Sequence, residues 1–136
     1  EPHSRERLLA GAMIPSAWYL QAQRFRRHAR QAMKSLFSQA DVLIAPATPC
    51  SATPIGAEEM VINGQPLPVR ASMGMLTQPI SFLGLPVVTV PLRTASCKPI
   101  GLQLIAAPFN EQACLRAARA LEAMGITDAR VAESAA

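Results

Sequence analysis

Hydrophobic positions recur at helical spacing over the longest periodic stretch of the chain, from Ser16 to about Gln39. Side chains three or four positions apart share one face of a helix, so this spacing predicts a long helix with a single apolar stripe. The stripe consists of Trp18, Ala22, Phe25, Ala29, Ala32, Met33 and Leu36. At about 100° per residue, Arg27 and Lys34 fall nearly opposite the stripe, whereas Arg26 falls at the border between core and solvent.

Three more helices are predicted, at Ser4–Met13, Ser72–Leu83 and Glu111–Met124. The second is expected to stop at Gly84, with Pro79 as a kink or a break inside it. The third is amphipathic and is expected to close at Gly125. The last residues, Val131–Ala136, have the pattern of a loose tail.

Three short, continuous apolar runs predict strands that are buried on both faces. They lie within Asp41–Pro46, Val87–Pro91 and Ile100–Ala106. Residues 46–71 predict a long surface excursion, in which Asn63-Gly64 marks a hairpin whose prolines confine it to an edge. A polar turn at Thr94–Pro99 joins the last two strands. Helices that alternate with buried strands predict an α/β fold, here part of a mixed sheet flanked by helices on both faces.

The composition is apolar for a small domain. Half of the 136 residues are hydrophobic and only 16% are charged, whereas a small domain normally exposes more charge on its large surface. This balance predicts that another part of a larger protein covers some of the surface, and the start at Glu1 rather than at a methionine agrees with a segment. We therefore expect three core strands and one open apolar face. The strands are Val42–Ala45, Val87–Val90 and Leu102–Ile105.

Charge and cysteine content narrow the classes of partner. The net charge of +4 is concentrated in the long helix, which has the pattern of a solvated face and lacks the interleaved aromatic residues of a nucleic-acid interface. Three widely spaced cysteines form neither a zinc pair nor a disulfide framework, which favours a reducing, cytoplasmic location. Prolines interrupt each apolar run before the ~20 residues of a membrane span. Neither a nucleic acid nor a membrane is an expected partner.

No set of side chains in the chain has the pattern of a catalytic centre. None of the nine serines lies in a Gly-rich turn, and the two lysines, Lys34 and Lys98, lie on a polar helix face and in a turn. No His, Asp and Glu cluster has metal-ligand spacing, so neither a metal nor another cofactor is predicted. Cys114 has the position of a packed small hydrophobe. Arg26 could present its fork of donors to a carboxylate, although periodicity alone favours an exposed or ion-paired arginine.

Two neighbouring segments, Thr77–Pro91 and Pro99–Ile105, resemble the amidase-signature family. Asp41–Pro49 is similar to the strand and proline loop of that family, and Ala22-Gln23 followed by Arg26 is similar to its Ala-Gln-x-x-Arg helix. The resemblance covers nearly the whole chain. Within the family, Ser4–Pro15 and Ala17–Gln23 are most similar to the carboxybiuret hydrolase branch, which acts in the breakdown of cyanuric acid.

The resemblance implies that the catalytic residues and this chain belong to different parts of a larger enzyme. The family uses a Ser, a cis-Ser and a Lys from an upstream Gly/Ser-rich region that this chain does not contain. Residues 1–136 are then the C-terminal segment of an amidase-signature domain, which shapes the substrate pocket and is inactive alone. The implied partners are a small-molecule amide substrate, the rest of the amidase domain and a small helper subunit.

The resemblance also implies which residues recognise the substrate. Arg26 matches the arginine that binds the substrate carboxylate in the glutamine-using amidotransferase subunits of the family. Gly74 stands where those subunits carry an Asp for the substrate ammonium, and Ser81 stands where many relatives have Asn. With Gln78 nearby, these departures favour hydrolysis of a linear C–N amide bond in a small, carboxylate-bearing, urea-type substrate such as carboxybiuret. Two alternatives stay open: the glutaminase (A) subunit of a transamidation complex, and a non-catalytic binding or scaffold fragment.

Overall fold

A computed structural model describes residues 2–92 and 98–127 of the chain. It divides into two compact units, Glu1–Ser35 and Leu36–Ala136. Helix α1 (Pro2–Ala12) and most of helix α2 (Ser16–Phe37) belong to the first unit. Both predicted helices are confirmed, with ends that differ by one or two residues. Pro15 separates them, and its carbonyl accepts hydrogen bonds from the backbone N–H groups of the first turn of α2.

The apolar stripe of α2 is confirmed as a helical face, but its large side chains are exposed. Trp18 is 70% exposed, Phe25 62% and Leu36 46%, and none of the residues of α2 is buried. An amphipathic pattern records which face of a helix is suited to burial. It does not establish that the same segment supplies the covering surface.

The second unit contains the strands and the remaining helices. Its described elements in chain order are β1 (Val42–Pro46), β2 (Glu59–Ile62), β3 (Gln65–Pro68), α3 (Val69–Ser72), α4 (Gln78–Leu83), β4 (Val87–Leu92), β5 (Ile100–Ala106) and α5 (Glu111–Ala123). Three strands form a sheet of order β1-β5-β4, and both pairings within it are antiparallel. The alternation of strands and helices confirms the predicted α/β class.

Helix α5 covers one face of this sheet. Leu104 and Ala106 of β5 pack with Cys114 and Ala113 of α5 and with Val90 of β4 in a single buried cluster. The side chains of Leu104 and Cys114 are completely buried, which confirms the predicted packing of this cysteine. The Cys114 thiol donates to the Pro86 carbonyl at 3.6 Å, and burial raises the pKa of the thiol above its ordinary value of 9.0.

The prediction that the strands are buried on both faces is wrong for parts of the two outer strands. Ile44 of β1 is 61% exposed and Val87 of β4 is 37% exposed. Ile44 is the register partner of Leu104, so both lie on the face that α5 covers, yet Ile44 is outside the cluster packed on that helix. The central strand, β5, buries Leu104 and Ile105, whereas β4 buries Val90 and β1 has no buried residue. Exposed apolar side chains on the outer strands agree with the open surface expected from the composition.

The predicted hairpin is confirmed as a separate two-stranded sheet of β2 and β3. Asn63 and Gly64 form its turn with φ values of 50° and 78°, the left-handed conformations that a two-residue type I′ turn requires. The half-buried Cys50 thiol lies 3.6 Å from the thioether sulfur of Met60, the buried residue of β2.

The helix predicted at Ser72–Leu83 is wrong over its first half. Two short helices, α3 and α4, are separated by a turn at residues 73–77. Pro79 neither kinks nor breaks a helix, because it lies in the first turn of α4, where its missing N–H removes no intrahelical hydrogen bond. Gly84 ends α4 with a φ of 68°, as predicted.

Two predicted features lie outside the described residues. They are the C-terminal tail at Val131–Ala136 and most of the turn at Thr94–Pro99, which includes Cys97. Over residues 2–92 and 98–127, no helix combines the length and the apolar character that crossing a bilayer needs.

Candidate substrate-recognition site

Three hydrogen bonds at the turn of residues 73–77 converge on one carbonyl group. The carbonyl oxygen of Gly74 accepts the backbone N–H of Gln78 at 2.9 Å and that of Thr77 at 3.1 Å. It also accepts the Thr77 hydroxyl at 3.1 Å. These hydrogen bonds close the turn and begin helix α4, so Gly74 and the first residue of that helix have fixed relative positions.

Gln78 folds back over Gly74. A β-carbon at position 74 would lie 3.1 Å from Gln78 Nε2 and 3.5 Å from its Cγ. Gly74 is half-buried and Gln78 is exposed. The space beside the α-carbon of Gly74 is therefore occupied by a neutral carboxamide.

Ser81 lies one helical turn after Gln78. Its backbone N–H donates to the Thr77 carbonyl at 3.0 Å, and its side chain is exposed. Residues three positions apart share a helix face, so Ser81 and Gln78 lie on the same side of α4. The structure thus brings together three of the four residues that the sequence predicted, Gly74, Gln78 and Ser81.

A buried glutamine that sequence reasoning missed supports this turn from below. Gln103 of β5 is 2% exposed. Its Nε2 donates to the Pro46 carbonyl at 2.9 Å and to the Leu76 carbonyl at 3.2 Å. The signal was present in the sequence: Gln103 is the one polar side chain in an otherwise apolar run, and a buried polar group needs hydrogen-bond partners.

Arg26, the fourth predicted residue, lies on α2 in the first unit. Its side chain is half-buried, and its Nε is buried without a hydrogen-bond partner among the described residues. Gln23, Arg30 and Lys34 line the same surface depression. Helix α2 contains no Asp or Glu, so it offers this guanidinium no carboxylate of its own. A buried N–H donor without a partner is costly, and an anionic group would satisfy it.

The described part of the chain contains no group of three or more His, Cys, Asp or Glu side chains that could hold a metal ion. Arg26 and the turn at Gly74, each taken by itself, can recognise polar groups. Arg26 offers charged donors, and the turn at Gly74 offers a neutral carboxamide and a hydroxyl.

Comparison with known proteins defines the class. A family model described as Amidase matches residues 3–115. The chain belongs to this amidase family, which confirms the resemblance to amidase-signature proteins seen in the sequence.

Relatives of known function refine this assignment. The chain is 52% identical over 128 residues to AtzE, a 1-carboxybiuret hydrolase subunit of Pseudomonas sp. (strain ADP), and the match covers 93% of this chain and 28% of that protein. It is 38% identical over 120 residues to the glutamyl-tRNA(Gln) amidotransferase A-subunit of Roseiflexus sp. (strain RS-1), covering 85% and 24%. The chain thus spans about a quarter of the length of these curated relatives.

Solved structures confirm the fold. One, described as a vestigial protein complex that reveals the evolutionary origins of an s-triazine catabolic enzyme, matches with a TM-score of 0.90 and 50% identity, over 96% of this chain and 29% of that one. A crystal structure of an amidase matches with a TM-score of 0.84 and 31% identity, over 91% and 29%.

Proposed function

We propose that this chain forms the substrate-recognition part of an amidohydrolase that cleaves a linear C–N amide bond in a small, carboxylate-bearing, urea-type substrate such as carboxybiuret. The observation that carries the proposal is the contact between Gln78 and Gly74. It fills with a neutral amide the place where, as the family resemblance implies, glutamine-using subunits carry an Asp. The 52% identity to a 1-carboxybiuret hydrolase subunit supports the same substrate class.

Arg26 is proposed to bind the substrate carboxylate. A guanidinium presents a planar fork of N–H donors that matches the two oxygens of a carboxylate. The buried Nε of Arg26, which has no partner among the described residues, supports this role. Because this nitrogen is buried, the guanidinium must turn outward before a bound carboxylate can supply the missing acceptor.

The far end of the substrate is proposed to be neutral. An ammonium group that is removed from water without a counter-charge is strongly disfavoured. Gly74 supplies no charge, and Gln78 and Ser81 supply only neutral hydrogen-bonding groups. A urea group, with N–H donors and a carbonyl acceptor, pairs with such groups, whereas the ammonium of glutamine does not.

Bond breaking is proposed to take place on the rest of the amidase domain. There, as the family resemblance implies, a Ser oxygen attacks the amide carbon, the amine leaves with a proton, and water then hydrolyses the acyl-enzyme. A small helper subunit is a further proposed partner, supported by the complex formed by a relative of known structure. We also propose a cytoplasmic location.

The deciding experiment compares kcat/KM for carboxybiuret and for L-glutamine on the full-length protein. We expect a preference for carboxybiuret of roughly 100-fold or more, because unpaired burial of one charge carries a large penalty. Equal or better use of glutamine would instead favour the glutaminase subunit of a transamidation complex, a function carried by relatives 38% identical to this chain. No turnover of either amide would favour a non-catalytic scaffold.

A further inference from the structure

Gln103 connects the centre of the sheet to the turn that carries Gly74. Its side-chain amide reaches both the end of β1, at the Pro46 carbonyl, and the turn, at the Leu76 carbonyl. We propose that Gln103 is the positioning residue of the recognition site, because it holds the 73–77 turn in a fixed position relative to β5. Its role in substrate recognition rests on the proposed function, whereas its role in holding the turn does not.

The hydrogen bonds of Gln103 are partly shielded from water. The residue is 2% exposed, and one nitrogen satisfies two carbonyl oxygens that belong to different segments of the chain. Removing that nitrogen leaves two part-buried carbonyl oxygens without this donor, and each must find water or remain unpaired. The turn must then move outward to find solvent, or remain in place with unpaired groups.

Movement of Leu76 is transmitted directly to the recognition residues. Leu76 lies two positions after Gly74 and two before Gln78, within the turn that the Gly74 carbonyl closes. The carboxamide of Gln78 occupies the space beside Gly74, with its Nε2 3.1 Å from where a β-carbon at position 74 would lie. A small displacement of Leu76 therefore changes the position of Gln78 relative to any substrate, although Gln103 itself is buried beneath the turn.

Two variants of the full-length protein separate the hydrogen bonds from the shape of the side chain. Gln103→Met keeps the length of the side chain and removes both donors. Gln103→Glu keeps the shape but presents acceptor oxygens to two carbonyls, and burial raises the pKa of such a carboxyl. Its protonated form can donate one hydrogen bond, so lowering the pH should partly restore the turn in Gln103→Glu and leave Gln103→Met unchanged.

The first measurement is amide hydrogen exchange at Thr77 and Gln78, whose N–H groups donate to the Gly74 carbonyl. We expect exchange at least roughly 10-fold faster in Gln103→Met than in the unmodified protein. The control is Val90→Ala, which weakens the same sheet from the face packed on α5 and should leave exchange in this turn unchanged. Unaltered exchange in Gln103→Met, or equal acceleration in Val90→Ala, would overturn the positioning role.

The second measurement is kinetic. We expect Gln103→Met to raise KM for carboxybiuret more than it lowers kcat, with a loss in kcat/KM of roughly 10- to 100-fold. Val90→Ala should change kcat/KM by less than about 3-fold. If Val90→Ala lowers kcat/KM as much as Gln103→Met does, Gln103 contributes only to stability. If the unmodified protein does not hydrolyse carboxybiuret, the proposed substrate is wrong, and the exchange measurement alone decides whether Gln103 holds the turn.

Discussion

Gly101 of β5 and Ala47, the residue that follows β1, lie so close that a β-carbon on Gly101 would stand 2.8 Å from the β-carbon of Ala47. The same two residues share a short backbone hydrogen bond, from the Ala47 N–H to the Gly101 carbonyl at 2.7 Å. On the other side, the missing β-carbon would lie 3.0 Å from Thr89 Cγ2. Only a glycine allows the three segments to approach this closely.

Gly101→Ala should therefore destabilise the protein. Overpacking of a tight contact costs about 1–3 kcal/mol, and the nearest atom here, the β-carbon of Ala47, is fixed to the backbone. Urea unfolding of the full-length protein measures the change. Gly11→Ala is the matched control, because no atom lies within 4 Å of the added carbon and the same change within helix α1 should be neutral or stabilising by about 0.5–1 kcal/mol.

Arg26→Ala should lower kcat/KM for carboxybiuret by roughly 10- to 100-fold, since charge-assisted hydrogen bonds contribute about 1.5–3 kcal/mol. Arg26→Lys keeps the charge but loses the planar fork, so it should recover only part of the loss. Arg24→Ala removes an exposed charge from α2 outside the depression that Arg26 lines, so it controls for a general loss of positive charge. If Arg26→Ala leaves kcat/KM unchanged, Arg26 does not bind the substrate and belongs to the solvated face of the helix.

Gly74→Asp should increase the use of L-glutamine by about 10-fold or more, because it adds the counter-charge that the substrate ammonium lacks. The new β-carbon meets only the flexible end of Gln78, which can shift and then donate to the new carboxylate. Adding Gln78→Ala should free that carboxylate and increase glutamine use further. Gly74→Asn, of the same size without charge, is the control, and an equal gain in that variant would rule out a charge effect.

Cys114 should react far more slowly with iodoacetamide than Cys50. The thiolate is the reactive form, burial raises the pKa of the Cys114 thiol, and its side chain has no exposed surface. We expect a rate difference of at least about 100-fold in the folded protein, since Cys114 must wait for local opening. Peptide mapping after timed labelling, in a Cys97→Ser background, measures both rates. Similar rates would contradict the packing described for α5.

The same thiol sets the direction of a pH effect. Its pKa is raised in the folded state, so the unfolded chain ionises first as the pH rises. The contribution of Cys114 to stability is complete below the ordinary thiol value of 9.0 and is lost as the pH rises through the folded value. Above pH 9.0 the free energy of unfolding should fall more steeply in the unmodified protein than in Cys114→Ala, whereas Cys50→Ala should keep the steep decline.

The segment of 136 residues, purified alone, should not hydrolyse simple amides or biuret-type substrates. No Ser in it lies in a Gly-rich turn, so neither of its lysines, Lys34 and Lys98, has a nucleophilic serine of that kind to activate. Activity should appear only in the full-length protein. Turnover by the segment that survives a test for contaminating amidase would show that the chain holds a nucleophile of its own.

Local patterns in the sequence predicted most of the individual elements. The strand Ile100–Ala106 was predicted with the bounds that β5 has, and Asn63-Gly64 located the hairpin, because these signals depend on neighbouring residues alone. The helix at Ser72–Leu83 was predicted too long. Residues 73–77 have a helix-compatible composition, but hydrogen bonds to Gly74 and from the distant Gln103 favour a turn.

The candidate site was predictable only in part, for the same physical reason. Gly74, Gln78 and Ser81 are close in sequence, so a resemblance over that segment placed them together. The contribution of Gln103 depends on contacts with residues 57 and 27 positions away, which no local pattern encodes. The exposure of Ile44 was missed likewise, because a run of apolar residues gives no information about how far α5 extends over the sheet.

Strand β1 stands at the edge of its sheet in the part of the chain that is described, with β5 on one side. An edge strand presents a row of backbone N–H and C=O groups that can template the addition of another strand. The exposed Ile44 adds an apolar side chain on the sheet face beside that edge. Produced on its own, the segment thus exposes a strand that can pair with the same strand of another copy. We expect such copies to associate edge to edge and to precipitate. The substitution Ile44→Lys, which puts a charge on this edge strand, is suited to keep the segment in solution.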